Sequence, residues 1–176
     1  AILSVNAGSS SIKFAVYPVH GSGMGHALLT GAFEGLEPQG QPRLCWTVQG
    51  HTQQEPLTTT AHDPFETALQ RLQQLLGDTP GLPALQAVAH RVVHGGEAFT
   101  EPVRVTPEVL AQLSRYNSLA PLHQPHNLTG VQAFAKAFPE LPQIACFDTA
   151  YHASVPALHS SFALPASLRD QGVRRY

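Results

Sequence analysis

A chain of 176 residues with 43% hydrophobic and only 12% charged side chains can bury a core of its own and is too apolar to be disordered. The formal charge of -2, with ten histidines counted neutral, provides no basic stripe for nucleic acid. Cys45 and Cys146 are far apart in apolar runs and read as reduced thiols; with no long apolar span and no basic leader in the sequence, a cytoplasmic protein with no membrane partner is expected.

Ile2-Leu3-Ser4-Val5 reads as a strand, Asn6 to Ser11 as a tight polar turn, and Ile12 to Tyr17 as a second strand with strict alternation. A Gly/His/Pro-bearing loop, Pro18 to His26, leads to strands over Ala27 to Glu34 and Arg43 to Val48. Asp63-Pro64-Phe65-Glu66 carries a cap, a proline at the first helical position and a carboxylate at the third, and Phe65, Leu69, Leu72 and Leu76 follow at helical spacing up to Gly77. Ala87-Val88-Ala89 is a short buried strand running into His90 to Gly96, and Thr106-Pro107 opens a second helix with Val109, Leu110 and Leu113 apolar. A third helix is expected from His126 to Phe138, stopped by Pro139, and Gln143 to Phe147 is a strand that delivers Asp148. Strands followed by alternating helices and strands predict an α/β fold, a mixed sheet flanked by helices. Beyond Tyr151 the Pro/Ala/Ser-rich segment reads as a connector.

Asn6-Ala7-Gly8-Ser9-Ser10-Ser11-Ile12-Lys13 puts a glycine, three hydroxyls, an amide and a lysine into one turn between strands. Gly8 allows close backbone approach, serine hydroxyls and free N–H groups donate to phosphate oxygens, and Lys13 adds a point charge. Alternation places Ser9, Ser11 and Lys13 on one face, with Ile12, Phe14 and Val16 toward the core. The spacing is not that of a Walker loop, and a strand rather than a helix follows the glycine. By itself such a turn is more often a plain solvated hairpin; its neighbours change that reading.

Arg91 closely follows an apolar strand, Asp148 directly follows another, and Asn6 follows a third. If those strands run parallel, all three side chains meet at the carboxyl edge of the sheet, where open α/β sheets bind ligands. The competing expectation is a buried ion pair between Arg91 and Asp148. His90, His94, His123, His126 and His152 invite a zinc reading, and His123 and His126 could share a helix face, but neither H-E-x-x-H nor a cysteine pair accompanies them.

Four segments together, Ser4 to Lys13, His90-Arg91-Val92-Val93-His94-Gly95-Gly96, Leu119-Ala120-Pro121-Leu122-His123 and Cys146-Phe147-Asp148-Thr149-Ala150-Tyr151-His152, resemble the acetate kinase family in order and spacing. The resemblance implies one lobe of an actin-like (ribonuclease H-like) two-lobe kinase, with residues 1–150 as the lobe and 151–176 as a connector toward a second lobe. It implies magnesium-dependent, reversible phosphoryl transfer between ATP and acetate, and a homodimer for the complete protein. It also assigns roles: Asn6 to the magnesium site, Ser9, Ser11 and Lys13 to phosphate, Arg91 to the acetate carboxylate, and Val93 and Leu122 to the methyl pocket. His123 falls near the transferring phosphoryl group and Asp148 takes the catalytic acidic position.

Two departures stand out. Gln124 and His126 replace the family's usual Asn and a smaller residue, which is expected to reshape the cleft edge. The chain is also shorter than a whole enzyme of the family, so it is expected to be inactive or nearly so alone. The rival readings are a non-catalytic nucleotide-binding module of the same fold, a propionate kinase, and a His-rich zinc hydrolase.

Overall fold

The computed structural model describes residues 1–21, 23–58 and 63–176. Its strands are β1 (Ile2–Ala7), β2 (Ile12–Tyr17), β3 (Val19–His20), β4 (Gly23–Met24), β5 (Leu29–Glu34), β6 (Arg43–Val48), β7 (His51–Pro56), β8 (Ala87–Val92), β9 (Val103–Arg104) and β10 (Gln143–Phe147). The longer helices are α1 (Pro64–Asp78), α2 (Pro107–Ser114) and α3 (Gln124–Ala137), followed by the short α4 (Ala157–Ser160) and α5 (Ala166–Arg169).

Eight strands form one mixed sheet in the order β7-β6-β5-β2-β1-β8-β10-β9. The pairs β1/β8 and β8/β10 are parallel, and the hairpin side of the sheet is antiparallel. The parallel trio therefore ends at a common edge, which is the condition the sequence set for gathering Asn6, Arg91 and Asp148.

Alternation decides the faces. Leu3, Val5 and Ala7 of β1, Val88 and Val92 of β8, and Ala145 and Phe147 of β10 are buried, while the residues between them are more open. The buried set packs against Leu69 and Leu72 of α1, Leu113 of α2 and Leu128, Val131 and Phe134 of α3. All three longer helices thus lie on one face of the sheet. Each fully buried leucine in that layer stabilises by about 2 kcal/mol.

Helix α1 starts as its sequence requires: the Phe65 N–H donates to the Asp63 carboxylate at 2.9 Å and Pro64 fills the first turn. Gly77 does not end it; the helix runs on to Asp78, and Thr79 returns its hydroxyl to the Leu75 carbonyl. The expected loop from Pro18 to His26 contains the small β3/β4 pair, and Ser22 lies outside the described residues. Strand β7 was not anticipated, because His51-Thr52-Gln53-Gln54-Glu55 has no apolar alternation. Its register comes from the two-residue turn Gln49-Gly50, with φ of 51° and 79°, the left-handed pair that a tight hairpin needs.

Candidate active site

The turn between β1 and β2 is closed by the Gly8 N–H donating to the Ser11 carbonyl at 2.9 Å, and the Leu36 N–H holds the Ser10 carbonyl from outside. Ser9 and Ser10 are exposed, so their hydroxyls face solvent rather than the core. Asn6 and Lys13 are direct partners across the hairpin, and Lys13 is exposed between buried Ile12 and Phe14. The expected alternation holds from Ile12 onward, whereas Ser9 and Ser10 lie in the bend and Ser11 is half-buried just before β2, so strand alternation does not place the serines on the Lys13 face.

Strand β8 runs to Val92, three residues further than its apolar start suggests, so Arg91 lies on the strand rather than after it. Its side chain emerges on the face opposite the helices. The Arg91 Nη1 reaches toward Asn6 Oδ1 at 3.4 Å, Nε donates to both Asp148 oxygens at 3.0 Å, and Nη2 donates to Asp148 Oδ2 at 2.5 Å. Lys13, Asn6 and Arg91 on three adjacent strands, with Asp148 just past the end of the fourth, consequently form one row. The Arg91–Asp148 pair is open rather than buried, with side chains 49% and 42% exposed. Below the row, a groove of 180 Å³ is lined by Ser4, Ala89, Arg91, Cys146 and Asp148.

The helix face supports this row. Buried His90 shares a 2.7 Å hydrogen bond with Gln143 Oε1, and its ring meets Phe134 edge-on. Burial pushes the His90 imidazole below its ordinary pKa, partly opposed by the Gln143 bond, and burial also lowers His94. Val93 leaves β8 half-buried, its N–H donating to Asn127 Oδ1 at 3.1 Å.

Leu122 and His123 occupy the turn before α3. Leu122 is 77% exposed, and His123 is exposed and caps the helix with backbone only. His123 therefore does not share a helix face with His126. The helix begins at Gln124, two residues before the expected start. Gln124 does not shape a cleft edge: it is fully buried, accepts the His94 N–H at 3.1 Å and donates to the His94 carbonyl at 2.8 Å. Through this two-way bond the Leu122-His123 turn is anchored to the loop that carries Val93. Gln124 and Asn127 do carry a signal in the sequence: they are polar residues on the buried stripe continued by Val131 and Phe134.

Asn6 Oδ1 and the Asp148 carboxylate are hard oxygen donors on one row. Among the described residues, no three His, Cys, Asp or Glu side chains are grouped to hold a metal ion. A donor set this sparse does not match a zinc cage, but it fits a cation that keeps most of its water and shares phosphate oxygens.

A profile of the Acetokinase family matches residues 1–176. The chain belongs to the acetokinase family. The acetate kinase of Rhodopseudomonas palustris (strain ATCC BAA-98 / CGA009) is 46% identical over 178 residues, covering 99% of this chain and 44% of that protein. Acetate kinase 2 of Vibrio cholerae serotype O1 is 42% identical, covering 99% of this chain and 43% of that protein. A propionate kinase from Francisella tularensis superposes with a TM-score of 0.86 at 32% identity, and the acetate kinase of Porphyromonas gingivalis with 0.84 at 35%; each alignment covers 99% of this chain and 44% of the other. The actin-like lobe expected from the sequence is the fold these acetokinase-family structures share. The chain spans less than half the length of these relatives.

Proposed function

We propose that this chain forms the first lobe of an acetate kinase, which transfers the γ-phosphoryl group of ATP reversibly to acetate. The observation that carries the reading is the geometry of Arg91. Asp148 engages its Nε and Nη2 from the side. Nη1 also reaches Asn6 Oδ1, which leaves one N–H on each of Nη1 and Nη2 for a second, bidentate carboxylate. An acetate seated there lies on the same row as Asn6 and Lys13, beside the serine-bearing turn.

Acetate is ionised at neutral pH, so no general base is needed; the obstacle is repulsion between anions. One acetate oxygen bonds to the γ-phosphorus as the bond to the β,γ-bridging oxygen breaks, and that electron pair leaves with ADP. Arg91 holds the nucleophile, while Lys13 and the donors of Ser9 and Ser11 take charge from the phosphates. Asn6 and Asp148 would hold magnesium, whose contribution when bound is to neutralise charge on the phosphate oxygens. Asp148 orients Arg91 without removing a proton. His123 stands at the rim as a donor toward the transferring group, and Val93 and Leu122 flank the methyl end of the acid.

We take acetate as the acceptor because the relatives from Rhodopseudomonas palustris and Vibrio cholerae, at 46% and 42% identity, are acetate kinases; the propionate kinase of the same fold makes propionate the second acid to test. The test is acetate-dependent ADP formation by a two-lobe protein that carries this chain, with propionate in parallel. Arg91→Ala should lower kcat/KM for acetate by about 100-fold or more, the scale of losing a preorganised charged contact. Unchanged kinetics would remove Arg91 from the site and the proposal with it.

A further inference from the structure

Asn127 is a buried amide in the first turns of α3, and both of its polar ends are used. Its Nδ2 donates to the Ala7 carbonyl at 2.8 Å, and its Oδ1 accepts the Val93 N–H at 3.1 Å. Ala7 joins Asn6 to the serine-bearing turn, and Val93 is the second residue past Arg91. One side chain therefore bridges the backbone at the root of the phosphate turn and the backbone at the exit of the arginine strand. The contact is tight: a Cβ added at Gly130, one turn further along α3, would stand 2.8 Å from the Ala7 Cβ. The helix must lie directly on the end of β1 for the Asn127 amide to reach.

We infer that Asn127 is a positioning residue that sets the spacing between the phosphate-gripping turn and the Arg91 carboxylate seat, an inference that rests on the acetate kinase reading above. The two strands β1 and β8 are already paired through Val5 and His90, but their ladder stops short of Ala7 and Val93. Asn127 supplies the missing rung where the chains diverge, using one donor and one acceptor in opposite directions.

The two bonds can be separated chemically. Asn127→Asp keeps an oxygen for the Val93 N–H but sets an acceptor against the Ala7 carbonyl, so it loosens the phosphate side alone. Asn127→Ala removes both ties. In the two-lobe kinase, Asn127→Asp should raise KM for ATP by about tenfold, the equivalent of one lost hydrogen bond, with KM for acetate unchanged within about twofold. Asn127→Ala should raise both. Equal effects of Asn127→Asp on the two substrates, or none on either, would overturn the inference in favour of a merely structural amide.

A measurement on the unsubstituted two-lobe kinase covers the case in which the variants do not fold. In an amide NMR titration with Mg-ATP, the Gly8 and Ser9 N–H resonances should shift together with the Asn127 side-chain NH2 and the Val93 N–H. Shifts at Gly8 and Ser9 with Asn127 and Val93 unmoved would overturn the inference while leaving the functional reading standing. No shift at Gly8 or Ser9 would remove the phosphate turn from the functional reading, and the inference would fall with it.

Discussion

Arg91 and Asp148, 57 residues apart in sequence, meet side-on across two parallel neighbours of the sheet, with Nε and Nη2 of the guanidinium on the two oxygens of the carboxylate. Both side chains are about half-exposed, so water screens the pair and its contribution to stability is at most about 1 kcal/mol. Arg91→Ala and Asp148→Asn in this chain should therefore shift the thermal midpoint by no more than about 3 °C, as read by circular dichroism. The same substitutions in a two-lobe kinase should lower kcat severely. A large loss of stability would mean that the pair is a structural bridge rather than part of a ligand seat.

This chain alone should turn over acetate at less than about 1% of the rate of a two-lobe acetate kinase, because its row of four polar side chains provides only part of the charge needed around the transferring phosphoryl group. A coupled assay of acetyl phosphate, on a sample whose intact mass equals that of this sequence, is the check.

Acid should weaken the fold through two buried histidines. His90 and His94 both have folded-state pKa values below the ordinary 6.5, so the unfolded chain binds protons first as pH falls. Their contribution is fully present above about pH 6.5 and is lost as pH drops from there through the lower folded-state values. The urea midpoint should accordingly be lower at pH 5 than at pH 7.5. His90→Gln, which retains a donor toward Gln143, should reduce that slope, and an unaltered slope would count against His90 as a source.

Gly130→Ala sets two effects against each other. Alanine gains about 1 kcal/mol in helix propensity, but its methyl would stand 2.8 Å from the Ala7 Cβ, and overpacking of this kind costs about 1–3 kcal/mol. The net expectation is destabilisation, measured by chemical denaturation, together with weaker protection of the Val93 N–H from hydrogen exchange as α3 is pushed outward. A more stable variant would show that the helix had room to spare.

The opening hairpin was legible because Ile12, Phe14 and Val16 alternate with Lys13 and Ala15, a pattern that fixes both the strand and the face it buries. The gathering of Asn6, Arg91 and Asp148 was legible conditionally, since each follows or ends an apolar run but only the parallel pairing brings them to one edge. Strand β7 escaped because its stability comes from its partner and from the Gln49-Gly50 turn rather than from burial. Gln124, expected at the cleft edge, is instead buried against His94. Local sequence does not say which backbone groups a polar side chain will meet thirty residues away, and the same ignorance concealed Asn127, whose two partners lie on β1 and beyond β8.

The two margins of the sheet differ from its middle in a way that affects handling of the protein. On one side β7 offers neighbours a rim of Thr, Gln and Glu side chains ending in a proline, and on the other β9 contributes only Val103 and Arg104. At two residues and ending in an arginine, β9 is a poor template for a strand from another molecule, whereas β7 is six residues long, largely exposed and blunted only at its end by Glu55 and Pro56. Ladder growth between copies is therefore discouraged at the β9 border, and β7 is the border at which added charge would protect concentrated solutions.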